Sequence, residues 1–255
     1  MELNHKILGE GDPVIILHGL FGTLDNWQTI GRLLSEMYQV YLIDQRNHGR
    51  SPQFPEHTYE AMAGDLAYFM EYNWINHTHL IGHSMGGKTA MQYALQHPEK
   101  VSKLVVIDIG IKAYPGGHEV IFEAMRSLDM TQVKERGDAE AHLRKYIDSY
   151  PVLQFLLKNL SRSKEGIYNW KMNLPVLYDH YHDILGEIDA DKPYEGPALF
   201  IRGSASNYIQ DDDWSDIHDL FPHAHLATIE GAGHWVHADA PRELLQLLRH
   251  FLASP

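Results

Sequence analysis

Cysteine is absent from the 255-residue chain. That rules out disulfides, thiolate metal ligands and thiol nucleophiles, and leaves serine as the first candidate for any covalent catalysis. Long apolar runs are missing too. Nowhere do eighteen apolar residues follow one another, and the opening MELNHKILGEG has neither a basic start nor an apolar signal core; the sequence reads as cytoplasmic, with no membrane association. Positive charge is scarce: 21 Lys and Arg against 34 Asp and Glu leave a formal net charge of −13. Such a surface excludes sequence-independent binding of nucleic-acid backbones, which needs clustered cations. Repeats and low-complexity tracts are lacking as well. What remains is an ordinary globular composition, 44% hydrophobic and 22% charged, in a length that suits one large domain carrying an insertion.

Short runs rich in Val, Ile and Leu recur along the chain: PVIIL (13–17), QVYLID (39–44), THLIG (78–82), KLVVID (103–108), PALFIRG (197–203) and HLATI (225–229). Near-continuous apolarity marks strands covered on both faces. Between them, 25–37, 58–72, 85–97, 212–221 and 241–252 carry apolar residues three and four apart, the spacing of crossover helices. Strands alternating with helices predict an α/β fold with a mostly parallel sheet flanked by helices, and the N-terminal segment has room for one antiparallel edge strand. One connection breaks the rhythm. A βα crossover needs about a dozen residues, whereas 109–196 is far longer and holds FEAMRSLDM, AEAHLRKYI and VLQFLLKNL. Residues 110–196 are expected to form a helical cap, inserted into a core of 1–109 and 197–255.

The stretch GHSMG, 82–86, places Ser84 between two glycines, at the end of an apolar run and the start of a helical pattern. A strand that turns at once into a helix needs tiny neighbours two before and two after the strained residue at its tip. The tip residue is then exposed at the top of the sheet. A serine hydroxyl is a weak nucleophile, so it needs a base and a set of oxyanion donors. EGAGHWVH puts His234 in a glycine-flanked loop directly after the last apolar run, the position of a base. Following the first parallel run, ILHGLFG offers the backbone N–H of Leu20, which with that of Met85 forms an oxyanion hole. Of the other histidines, His18 and His83 read as hydrogen-bonding scaffold. His180 and His182 lack the third ligand a zinc site requires, and neither a metal nor a cofactor is expected.

HGLFG, DQRNHGRS, GHSMGG and GAGHWVH resemble the oxyanion loop, the D-x-R-x-x-G-x-S loop, the nucleophile elbow and the histidine loop of the α/β-hydrolase superfamily, in its order of Ser, acid and His. Longer segments, HGLFGTLDNW, LIGHSMGGK, NLPVLYD and GAGHWVHADAP among them, are similar to the small bacterial serine esterases of the YbfF type over essentially the whole chain. The resemblance implies an α/β-hydrolase fold with its cap after the sixth strand, and hydrolysis of a small-molecule carboxylic ester, with acyl thioesters such as acyl-CoA also in range. No obligate protein partner is evident.

The triad acid departs from much of the superfamily. Where a G-x-x-D pattern would place it after the seventh strand, this chain has Ser206, which cannot carry the charge that orients an imidazolium. Asp108, closing KLVVID beside the strand that carries the elbow, is the leading candidate, and the YbfF-type resemblance also puts the acid there; Asp211, Asp212 and Asp213 are the alternatives. Phe21, Trp27, Phe155, Trp170 and Val236 are candidates to line the substrate pocket. Asp44 and Arg46 read as organisers of the adjacent loop, and Lys158, Arg162 and Lys164 as a solvated basic face. Two other readings keep the fold: carbon–carbon bond hydrolysis or perhydrolysis on the same triad, and a ligand receptor without turnover.

Overall fold

The computed structural model describes residues 2–254. A seven-stranded sheet runs in the order β1-β3-β2-β4-β5-β8-β9, with β1 (His5–Leu8), β2 (Pro13–Leu17), β3 (Gln39–Ile43), β4 (Thr78–His83), β5 (Val101–Ile107), β8 (Ala198–Gly203) and β9 (Ala224–Ile229). The edge strand β1 is antiparallel to β3, and the other pairings are parallel. The strand before the insertion is therefore the fifth in chain order, not the sixth that the resemblance implies, and the N-terminal stretch supplies the one antiparallel edge strand expected of it.

Successive residues of a strand point to opposite faces, and both faces are covered. Ile15 and Leu17 of β2 pack with α2 (Tyr59–Tyr72) and α3 (Met85–Gln96), while Val14 and Ile16 pack with α1 (Gln28–Leu34) and α11 (Pro241–Ala253). Ile217 of α9 (Trp214–Leu220) joins the first of these faces and Val236 of α10 (Val236–Asp239) the second. The long apolar side chains of α11, at Leu244, Leu248 and Leu252, recur every four residues and are all buried, which is what holds the C-terminal helix on the sheet.

Between β5 and β8 the chain forms α4 (Glu119–Arg126), α5 (Arg136–Leu143), α6 (Tyr150–Leu157), a hairpin of β6 (Leu160–Arg162) and β7 (Tyr168–Trp170), then α7 (Leu174–Asp179) and α8 (Tyr181–Leu185). The hairpin departs from the all-helical expectation, since three-residue strands are too short to show a period of two. Of the polar contacts that tie this insertion to the sheet layer, three come from the buried side chains Asn159, Tyr59 and Lys88. Asn159 donates through Nδ2 to the Phe21 carbonyl at 2.6 Å, and the Tyr59 hydroxyl donates to the Ile184 carbonyl at 2.6 Å. The third is the buried Lys88 on α3, whose Nζ donates to the Lys112 carbonyl at 2.7 Å and to that of Gly186, one on each stem of the insertion.

Candidate active site

The carboxyl ends of β2, β4, β5 and β9 gather the sequence-predicted residues at one edge of the sheet, where ligands bind in open α/β folds. β4 ends at His83, Ser84 takes φ 52° and ψ −122°, and α3 starts at Met85. This left-handed backbone is strained for serine, at a cost of about 1–3 kcal/mol, and the packing around it shows why glycines flank it. A Cβ on Gly82 would collide with the Gly86 carbonyl, and one on Gly86 would stand 2.5 Å from the carbonyl oxygens of Leu17 and His18. Phe21 and Asp108 share the positive φ, at 59° and 52°. Strain is thus concentrated at three of the loop tips that form the site.

Ser84 Oγ lies 3.0 Å from His234 Nε2. The opposite ring nitrogen, Nδ1, donates to Asp108 Oδ2 at 2.8 Å. The Asp108 side chain is fully buried, and its other partners compensate for that burial: Gly203 N–H donates to Oδ1 at 3.0 Å and the Ser206 hydroxyl donates to Oδ2. Ser206 thus occupies the usual place of the acid and touches the candidate acid, Asp108. The alternatives stand elsewhere. Asp213 is paired with Lys112 at 2.6 Å, Asp211 with Arg202 at 2.7 Å, and Asp212 is exposed.

His234 is held on further sides. Tyr208 stacks on its ring at 4.0 Å between centroids, and His83 Nε2 donates to its carbonyl at 2.8 Å. Burial holds His83 well below the usual imidazole range, so it stays neutral beside the second ring. His18 is likewise pushed down to about 4 by burial; its Nε2 accepts from Gln45 N–H at 3.0 Å and its Nδ1 donates to the Gly19 carbonyl at 2.8 Å. His48, pushed down to about 3 by burial, accepts at Nε2 from Phe21 N–H at 3.3 Å. These contacts lock the loop from His18 to Gly22 against the elbow: a Cβ on Gly19 would meet that of Ser84 at 3.1 Å. Leu20, next to Gly19, and Met85, next to Ser84, border one small cavity together with Ser84. Asp44 serves the same loop, accepting from Leu24 N–H at 2.7 Å and Arg50 N–H at 2.9 Å, while Arg46 is paired with Asp65 at 2.6 Å.

Above Ser84 opens a cleft of about 240 Å³ lined by Phe21, Trp27 and Phe155, as the sequence suggests, together with His118, Trp235 and His237. Trp170 and Val236 line neither this cleft nor the smaller cavity beside it. Trp170 turns its Nε1 to the Met125 carbonyl at 3.2 Å within the insertion, and Val236 is fully buried against the sheet. Sequence reasoning missed Tyr208 and His118. The Ser206-x-Tyr208 spacing is a weak signal for the first, and nothing local marks the second.

The geometry agrees with comparisons to known proteins. The α/β hydrolase fold family matches residues 12–241. A zebrafish (Danio rerio) protein named sn-1-specific diacylglycerol lipase ABHD11 is 42% identical over 96% of this chain and 79% of its own length. The Escherichia coli K12 protein named esterase YbfF is 37% identical over 94% of this chain and 92% of its own. Among solved structures, a marine microorganism esterase superposes with a TM-score of 0.96 at 44% identity, covering 98% of this chain and 99% of that one. With the elbow at the end of β4, the sheet order and these similarities together, the chain belongs to the α/β-hydrolase family.

Proposed function

We propose that the protein hydrolyses carboxylic esters through an acyl-enzyme on Ser84. The observation that carries this reading is the unbroken line of hydrogen bonds from Ser84 Oγ through His234 to the buried Asp108, at the floor of an apolar cleft. Relatives named as an esterase and as a lipase support the same bond class. Ser84 Oγ attacks the acyl carbonyl carbon as its proton passes to His234 Nε2, and the amides of Leu20 and Met85 hold the oxyanion. Collapse breaks the ester C–O bond, and the leaving alkoxide takes the proton from Nε2. Water then repeats the sequence and frees the acid. Asp108 keeps its charge throughout, holding the tautomer with the proton on Nδ1 and stabilising the imidazolium. Thioesters present the same carbonyl and fall within this chemistry. Residues 110–196 act as the cap that roofs the cleft on a core of 1–109 and 197–255.

A fluorophosphonate probe tests the reading. It is expected to stop turnover of p-nitrophenyl acetate, and Ser84→Ala is expected to lose turnover and escape labelling. An unlabelled protein without ester turnover would instead fit a receptor on the same fold.

A further inference from the structure

Two cavities meet at Ser84. The large cleft contains His234, Trp235 and His237 and opens between the insertion and the sheet edge. Beside it lies a smaller cavity of about 30 Å³ that contains Met85 but not His234. Ser84, Leu20, His118 and Tyr208 border both. The direction of the chemistry assigns the two sides. In the tetrahedral intermediate the oxyanion faces the Leu20 and Met85 amides, and the leaving oxygen must face His234 Nε2 to collect its proton. The remaining substituent, the acyl chain, points away from the histidine, into the cavity beside Met85.

Resting on the ester-hydrolase reading above, we propose that this small cavity is the acyl pocket, that it selects short unsubstituted aliphatic acyl groups, and that the large cleft receives the alcohol.

Length and polarity both follow from the walls. Tyr59, Met85, Ile109, Tyr181 and Ile184 are all buried, with at most 9% of each exposed, so these walls leave room for only a short chain. Its far side is fixed, because the Tyr59 hydroxyl is bonded to the Ile184 carbonyl and Lys88 ties the neighbouring Gly186 carbonyl to α3. Polar groups on the walls are already engaged. The Tyr114 hydroxyl accepts from Gly110 N–H at 2.8 Å and donates to the Tyr208 carbonyl at 2.6 Å; that of Tyr181 accepts from His118 N–H at 3.0 Å and bonds to its Nδ1. Burial pushes His118 down to about 4, which leaves it neutral. A carboxylated acyl chain would therefore find no cation among the lining side chains, and desolvating its charge would go uncompensated. The neighbouring cleft is about eight times as large and carries aromatic faces from Trp27, Phe155 and Trp235, which suits a bulky alcohol.

The test is kcat/KM for p-nitrophenyl acetate, butyrate, octanoate and hemisuccinate in the wild type, Ile184→Ala, Leu185→Ala and Phe155→Ala. Wild type is expected to lose at least tenfold between butyrate and octanoate, and at least tenfold between butyrate and the hemisuccinate. Ile184→Ala or Leu185→Ala is expected to raise the octanoate-to-acetate ratio about tenfold, and Phe155→Ala to leave that ratio within twofold while, in a parallel assay of two further esters, weakening naphthyl acetate relative to methyl acetate. Octanoate cleaved as well as acetate by the wild type, or an octanoate ratio that moves with Phe155 and not with the α8 positions, would overturn the assignment and put the acyl chain in the cleft. Failure of the ester-hydrolase reading looks different: no ester of any length is turned over and Ser84 takes no phosphonate.

Discussion

At the scale of single residues, the site is a set of buried polar groups that leave one another little freedom. Asp108 can be fully buried and charged because Gly203, Ser206 and His234 all donate to it. Its replacement by asparagine keeps the volume and removes the charge, and an amide can present an N–H to Nδ1 and select the wrong imidazole tautomer. Asp108→Asn is expected to lower kcat by about 10⁴, whereas Asp213→Asn, which removes only the partner of Lys112, should change it less than tenfold; steady-state turnover of p-nitrophenyl acetate separates the two. The reverse pattern would move the acid to the segment after β8. Ser84 and His234 were legible because glycines and strand ends mark them locally. Ser206 was legible as the place where a carboxylate is missing, but its bond to Asp108 was not, since it joins positions far apart in the chain. Trp170 and Val236 were misplaced for a related reason: apolar side chains carry no label that distinguishes a cavity wall from a core.

Among the elements, the alternation of apolar runs and helical spacing identified every parallel strand and the crossover helices, because burial on both faces writes itself into composition. The insertion was legible by its length and mostly by its helical content. Its hairpin, and the way it sits on the core, depend on a few long-range contacts that leave no periodic trace. Lys88 is the clearest of these. Read alone, GGKTAMQY offers a lysine at the start of a helix. In the fold, burial pulls that ammonium down to about 7, and it bridges carbonyls on both stems of the insertion. Lys88→Met preserves the bulk and leaves both carbonyls without this donor, a loss of about 1–3 kcal/mol. Lower thermal stability and faster limited proteolysis within 110–196 are expected, and unchanged values for both would show that the stems are held by packing alone.

For the molecule as a whole, the burial of neutral imidazoles couples stability to acid. Burial holds His18, His118 and His237 down to about 4, and His48 to about 3, from an ordinary value of 6.5. Above pH 6.5 both folded and unfolded chains keep these groups neutral. Below it the unfolded chain binds protons that the folded chain refuses, so stability falls as pH drops from 6.5 towards 4, by about 1.4 kcal/mol per pH unit for each group. Net charge acts in the opposite direction, since the −13 at neutral pH shrinks towards the sequence pI of 5.7 and relieves self-repulsion. A thermal midpoint that falls by about 5 °C or more between pH 7 and pH 5 is expected, and a flat or rising midpoint would contradict the burial of neutral histidines.

The account turns on one oxygen atom forming a covalent bond, and peptide mapping of the fluorophosphonate adduct addresses it most directly. One stoichiometric adduct is expected, on the peptide carrying Ser84 and on no other, formed far more slowly in Asp108→Asn. An adduct on a different residue, or full esterase turnover by Ser84→Ala, would contradict it.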